Sequence, residues 1–234
     1  MSAPPTSTPT EVRAGVAIRA LRMLRREGPR SFAIRAWERG RHLVYLREEH
    51  VWYELDLLAS RTRNELPPGV RLIRAGAADT ARVAAFGQDP QAARKRHSAG
   101  NDLWLALEGD DPLFCCWTFW GIAPVLAAPG GWLELPPDTV CLEDSATSPA
   151  ARGRGIAPGS WSAIAEILAA EGVTAMITKV TPENTASRRA VTKAGFAEIG
   201  VMRLTRLGRR KRTTMDVIAP GLGDELAARL VPGA

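Results

Sequence analysis

Hydrophobic residues recur at two spacings along the chain, and the switches between them lay out its elements. From Ala14 to Arg41 the spacing is helical. Ile18, Leu21 and Leu24 form a stripe among Arg19, Arg22, Arg25 and Arg26, and Gly28-Pro29 breaks the run. Ser31 can cap a second helix through Phe32, Ala36 and Trp37. The β-branched and aromatic run His42–Leu57 predicts a hairpin turning near Glu48-Glu49, and Arg63–Gly69 has the composition of a linker. A second unit begins at Val70 with a strand, followed by helices over "ADTARVAAF" and Pro90–Ala99. "DLWLALEG" and "DPLFCCWTFWG" are strands on either side of Gly109-Asp110-Asp111, and residues 139–148 form another. A helix stopped by Gly172, the strand "TAMITKV", a helix stopped by Gly195 and a closing strand pair across "GRRKR" complete the order β-α-α-β-β-β-α-β-α-β-β. This is a mixed α/β sheet without an internal repeat.

The organisation expected is a disordered Pro/Thr-rich tail over residues 1–12, an Arg-rich helical and hairpin extension over 13–65, a main domain over 70–220 and a tail over 221–234. With 45% hydrophobic and 24% charged residues in 234, there is ample material for one core. The net charge of +6 favours an anionic partner without choosing among nucleic acid, membrane surface and phosphorylated small molecule. Cys115, Cys116 and Cys141 have neither zinc nor redox spacing and read as buried thiols of a reducing compartment. His42 and His50 have no metal-ligand partner at a useful spacing, and His97 ends a helix, where capping rather than catalysis is expected. The N-terminus has no apolar targeting core and no run is long enough to span a bilayer, so a cytoplasmic protein is expected.

The chemistry concentrates in "SPAARGRGIAPGSW", Ser148–Trp161, where a strand turns into a helix. Gly153 and Gly155 permit positive φ and close approach of a ligand to the backbone. The amides of such a turn and of the first helical turn form an anion-binding concavity, to which the helix dipole, Arg152 and Arg154 add positive charge. Pro158 loses nothing in the first turn, where its N–H would have no partner. Neither a P-loop nor a dinucleotide fingerprint is completed. Read alone, the stretch is a pyrophosphate cradle or a Gly-rich connection with solvated arginines.

A second segment bears on the choice. The sequence resembles the GNAT acyltransferase superfamily, whose acetyl-coenzyme A signature is Gln/Arg-x-x-Gly-x-Gly/Ala; Arg152, Gly155 and Ala157 match it after a strand. "NTASRRAVTKAGF" matches a further family segment through Asn184, Ser187, Lys193, Gly195 and Phe196, and "LEDSATS" resembles the family's fourth strand. The resemblance covers about Val70 to Ile218 and implies a mostly antiparallel mixed sheet with flanking helices. It also implies an acyl-coenzyme A donor, acetyl-CoA or another acyl-CoA, and an amine acceptor. By resemblance, the strand holding Glu143–Thr147 parts from "TAMITKV" to admit the pantetheine arm, and Arg152, Gly153, Arg154, Gly155, Ile156 and Ala157 hold the pyrophosphate. Asn184 and Ser187 contact the pantetheine or adenosine side. Arg188, Arg189 and Lys193 are candidates for an outlying phosphate or a solvated helix face. A backbone N–H near Ala146 or Thr147 serves the oxyanion, Glu143 and Asp144 are the carboxylates placed to act as base, and Ser187 or water is the proton source. At the position where many members carry an acidic tyrosine, this chain has Val191.

Trp104, Trp117, Trp120 and Trp132 are core residues or the lining of an acceptor pocket. The expected function is acylation of a small-molecule amine, such as an amino sugar or natural-product intermediate. The alternatives are a protein N-terminus or lysine as acceptor, and a non-catalytic coenzyme A-binding or membrane-docking module. The Arg-rich residues 14–41 leave peripheral membrane contact, a dimer arm and a plain packed extension open, whereas no nucleic-acid motif accompanies the charge.

Overall fold

A computed structural model describes residues 45–59 and 63–231. The tail and the two Arg-rich helices expected before residue 42 lie outside the described residues, and with them the membrane-contact and dimer-arm readings. Among the described residues, ten strands form an eight-stranded sheet in the order β10-β9-β1-β8-β7-β4-β3-β2 and a small two-stranded sheet, β5-β6. The strands are β1 (Tyr45–Asp56), β2 (Val70–Ala75), β3 (Asp102–Glu108), β4 (Asp111–Trp120), β5 (Ile122–Pro124), β6 (Trp132–Glu134), β7 (Thr139–Thr147), β8 (Ala175–Val180), β9 (Ala197–Leu207) and β10 (Arg210–Val217). The helices are α1 (Pro90–Ser98), α2 (Ile156–Ala170), α3 (Thr185–Lys193) and α4 (Leu222–Leu230), with a 3-10 stretch over Ala77–Phe86.

Three segments depart from the sequence reading. Within the expected hairpin, whose first residues lie outside the described ones, Tyr45–Asp56 is one strand, β1, antiparallel to β8 from Val51↔Val180 to Asp56↔Ala175. The Glu48-Glu49 dipeptide carries no turn residue, and Val51, Tyr53 and Leu55 continue a period-2 stripe into the core. A strand assigned to the extension thus lies inside the main sheet, between β9 and β8. The presumed linker is the second departure. The Asn64 backbone N–H donates to Ser162 Oγ at 3.1 Å and its Nδ2 to the Lys193 carbonyl at 3.1 Å, joining α2 to α3. Arg63 also pairs with Glu166 of α2. Third, the tail expected from 221 contains α4, whose Leu226 and Leu230 are buried.

The main core lies between the sheet and helices α2 and α3. Trp161, Ile164, Ala165 and Leu168 recur at i, i+3, i+4 and i+7 on α2 and are buried against Phe114, Cys116, Val140, Leu142 and Met176. Trp161 stands edge-on between Phe114 and Phe196, with ring centroids 6.1 and 6.2 Å away. Gly159 allows the Glu65–Leu66 segment to cross α2: a Cβ there would sit 2.8 Å from the Glu65 carbonyl oxygen. The opposite sheet face carries Trp52, Trp117, Cys141, Glu143 and Lys179, with Gln88 and α1 over the Trp117 end.

Candidate active site

The site begins where two strands part. β7 and β8 are parallel and paired from Thr139↔Ala175 to Leu142↔Thr178, and both run on beyond the last pair. Thr178 Oγ1 donates to the Leu142 carbonyl at 3.0 Å, closing the paired section. Further along, β7 turns away by a bulge. On β4 the step from Cys115 to Trp117 is matched on β7 by the longer step from Ala146 to Glu143, and Asp144 takes φ 51°. Asp adopts this left-handed conformation more readily than most residues.

Between the parted strands is a cavity of about 270 Å³. On the helix side it is walled by Trp161, Val191, Asn184 and Ser187, and on the far side by His50, Glu143 and Lys179. It therefore connects the two faces of the sheet. Glu143 is ion-paired with Lys179 and accepts a 3.5 Å contact from Cys141 Sγ. Both partners are largely buried, at 15% and 12% side-chain exposure. Burial pushes the Glu143 carboxyl up against the pull of Lys179. Burial works against the Lys179 charge, but Glu143, with Cys141 and Asp144, raises its pKa on balance, and Lys179 stays cationic. The Lys179 ammonium also lies 5.5 Å from the Trp52 ring centre. Asp144 is ion-paired with Arg96 of α1, while its carbonyl accepts from Gln88 Nε2 at 3.1 Å. Both carboxylates expected as the base thus carry cationic partners.

The expected cofactor residues divide by contact. Arg154 forms a two-pronged ion pair with Glu108, at 2.6 and 3.4 Å, and so anchors the turn to β3. Arg152 is exposed and has no ion pair among the described residues. Gly153 and Gly155 take φ 78° and 79°, and Gly155 is the N-cap of α2. The N–H groups of Gly153, Gly155, Ile156 and Ala157 have no backbone acceptor among the described residues. Ile156 is buried, and Ala157 packs against the core. On β7, Ala146 and Thr147 are registered with Cys115 and Phe114 of β4. Asn184 caps α3, its Oδ1 accepting the Ser187 N–H at 3.1 Å, which leaves its amide NH₂ for a ligand. Lys193 is exposed and borders a second recess with Tyr53, Arg188 and Arg189. In that recess Arg188 binds Tyr53 Oη at 2.9 Å and Glu198 at 2.8 Å, so it is already engaged. Tyr53 is held there and does not line the cavity between β7 and β8.

The tryptophans also separate. Trp104 and Trp117 are wholly buried, Trp120 is half-buried with Nε1 2.9 Å from Asp102, and Trp132 is exposed on β6. None borders the cavity. The cysteines are free and buried, and burial pushes Cys115 up to about 12. Among the described residues there is no group of three metal-ligating side chains, and no helix is long and apolar enough to cross a membrane.

Sequence reasoning missed His50, Lys179 and Trp161. The buried indole N–H of Trp161 and Nδ1 of His50 have no hydrogen-bond partner among the described residues, and both side chains wall the cavity. A buried polar atom left unpaired costs free energy unless a ligand meets it.

The chain belongs to the GNAT acetyltransferase family, whose model matches residues 77–196. Members of that family transfer acyl groups from acyl-coenzyme A to amines. A structure of a putative GNAT acetyltransferase from Novosphingobium aromaticivorans superposes with a TM-score of 0.51 at 18% identity, covering 70% of this chain and 66% of its own. A Drosophila protein gives 0.51 at 15% identity, covering 76% and 57%. A GCN5-related glucosamine N-acetyltransferase region of a fungal multi-domain β-N-acetylglucosaminidase gives 0.50 at 16%, covering 76% and 23%. This chain therefore spans less than two thirds of the length of each, and the likeness is one of fold. No curated protein matches it significantly.

Proposed function

We propose that the protein transfers an acyl group, most simply acetyl, from acyl-coenzyme A to the primary amine of a small molecule. The observation that carries this reading is the parting of β7 from β8 beyond Leu142 and Thr178, which opens a cavity walled by Trp161 of α2, the helix that begins at the Arg152–Ala157 turn. Coenzyme A would supply the acyl group as an activated thioester. On this reading the amides of Gly153, Gly155, Ile156 and Ala157 receive the pyrophosphate, and Arg152 adds the free positive charge. Arg154, tied to Glu108, holds the turn in shape. The Asn184 amide NH₂ is a donor available to the pantetheine arm, and the family resemblance assigns the oxyanion to a β7 backbone N–H near Ala146 or Thr147.

The acceptor would enter on the His50–Glu143–Lys179 side. With Val191 buried at the usual tyrosine position and Tyr53 bonded elsewhere, the Ser187 hydroxyl and water are the proton sources for the departing thiolate. Thr178 is committed to Leu142. Thiol release from acetyl-coenzyme A tests the reading across a panel of amino sugars, polyamines, amino acids and peptides. Turnover of small amines supports it. Turnover of peptides alone would move the acceptor to a protein, and binding with no turnover would leave a coenzyme A-binding module.

A further inference from the structure

We propose that His50 is the proton acceptor of the transfer, the open Nε2 edge of its ring receiving the proton that the acceptor nitrogen gives up. The assignment rests on the acyltransferase reading and goes beyond it by naming a residue on β1, outside the segment matched to the family.

The carboxylates on the cavity wall are already engaged. Glu143 is held by Lys179 and Cys141, and Asp144 by Arg96. The Thr178 hydroxyl donates to the Leu142 carbonyl. Among the described residues, His50 is the imidazole on the wall with neither an ion pair nor a hydrogen bond, and of its two ring nitrogens Nδ1 is the sealed one. The residue as a whole is half-buried, so the ring has a closed edge at Nδ1 and an open one. A neutral imidazole that takes a proton at its open edge can release it there to water once the product has left. β1 fixes the ring on the far side of the sheet: Val51, Tyr53 and Leu55 lock its alternate positions in the core, placing His50 with Trp52 on the face of Glu143 and Lys179. The charged groups around the ring are Lys179, Glu183, Glu143 and Asp144. Burial, reinforced by Lys179 and opposed by Glu183, lowers the His50 pKa to about 4, so the ring is an unprotonated acceptor at neutral pH. Nitrogen becomes far more acidic as it bonds to the acyl carbon, so a base of this strength is sufficient.

The balance is simple. The acceptor nitrogen forms the C–N bond, the thioester C–S bond breaks, and the proton lost from nitrogen passes to His50 Nε2 and then to solvent. The thiolate takes an equivalent proton from Ser187 or water, giving amide and thiol.

The test uses the full chain, acetyl-coenzyme A and hydroxylamine, a minimal amine that is uncharged at neutral pH, with thiol release as the readout. General-base removal lowers rates by about 10²–10⁴-fold. His50→Ala should lose that much in kcat, retain the wild-type KM for acetyl-coenzyme A and regain activity with added imidazole. His50→Gln serves as the second variant if His50→Ala does not fold. Wild-type rates in either variant, loss without imidazole rescue, or no catalysed release by the wild type would overturn the assignment. A thermal shift with acetyl-coenzyme A separates the two ideas. If it stabilises wild type and variant alike while their rates match, only the His50 role falls. If it stabilises neither, the acyltransferase reading falls too.

Discussion

Replacing Lys179 with Met would leave Glu143 buried without its cation while keeping most of the stem that lies over Trp52. Removing one member of a buried pair costs about 3–5 kcal/mol because the remaining charge is uncompensated. The low exposure of both side chains puts this pair in that class rather than with surface bridges worth under about 1 kcal/mol. For a chain of this length the cost corresponds to a fall of roughly 6–20 °C in Tm. The sign with pH follows from the carboxyl. Burial already raises Glu143, and without Lys179 its folded pKa rises further above the unfolded value. The fold then prefers the protonated form, so the cost is smallest below the unfolded carboxylate pKa and grows as pH rises through the folded one. Urea unfolding of Lys179→Met against wild type at pH 5 and pH 8 measures it, with the larger deficit expected at pH 8. The double variant Lys179→Met/Glu143→Leu should recover most of the loss. A pH-independent deficit, or no recovery in the double variant, would refute the buried-pair reasoning.

Other consequences are equally direct. Gly159→Ala drives a methyl into the Glu65 carbonyl and should cost about 1–3 kcal/mol by the usual cost of overpacking, visible in thermal melts. Asn184→Ala removes the cap of α3 and should cost about 0.5–2 kcal/mol in urea unfolding, with weaker coenzyme A binding if the amide NH₂ also serves the ligand. Asn64→Ala deletes the bond to the Lys193 carbonyl and should lose about 1 kcal/mol by the same assay. The His50 imidazole, followed by NMR, should titrate near pH 4 rather than in the usual histidine range. Because that shift is downward, its stabilising contribution is complete above the unfolded histidine pKa and is lost as pH falls toward 4.

The chain displayed its family core openly. Glycine stops at Gly172 and Gly195, the 3.6-residue stripe of α2 and the period-2 runs of β3, β4 and β7 are local signals, and they placed most elements of the matched segment. What was illegible depended on long-range pairing. β1 reads like half of a hairpin because strand propensity does not name a partner, and that partner, β8, lies over a hundred residues away. Asn64 sits in a Pro-rich stretch whose composition signals a connection, while its hydrogen bonds reach α2 and α3. The same limit hid the site's second side. Glu143 and Asp144 were visible beside the turn, but Lys179 and Arg96 come from other elements and engage them. His50 had no ligand-like spacing to mark it, since its significance lies in an unpaired atom at a cavity wall. Arg152 and Arg154 look equivalent in sequence, and only the reach of Glu108 distinguishes them.

The central claim is that the Arg152–Ala157 turn and the parted strands hold an acyl-coenzyme A. A thermal melt with acetyl-coenzyme A tests it most directly. At a hundredfold excess over Kd, binding to the folded state alone contributes about 2.7 kcal/mol, or roughly 5–11 °C in Tm for a chain of this size. Arg152→Ala should bind about 10–100-fold more weakly, as expected for losing a charge-assisted hydrogen bond, and respond correspondingly less. Stabilisation of the wild type that falls in the Arg152 variant is the predicted result; no stabilisation of the wild type would contradict the account.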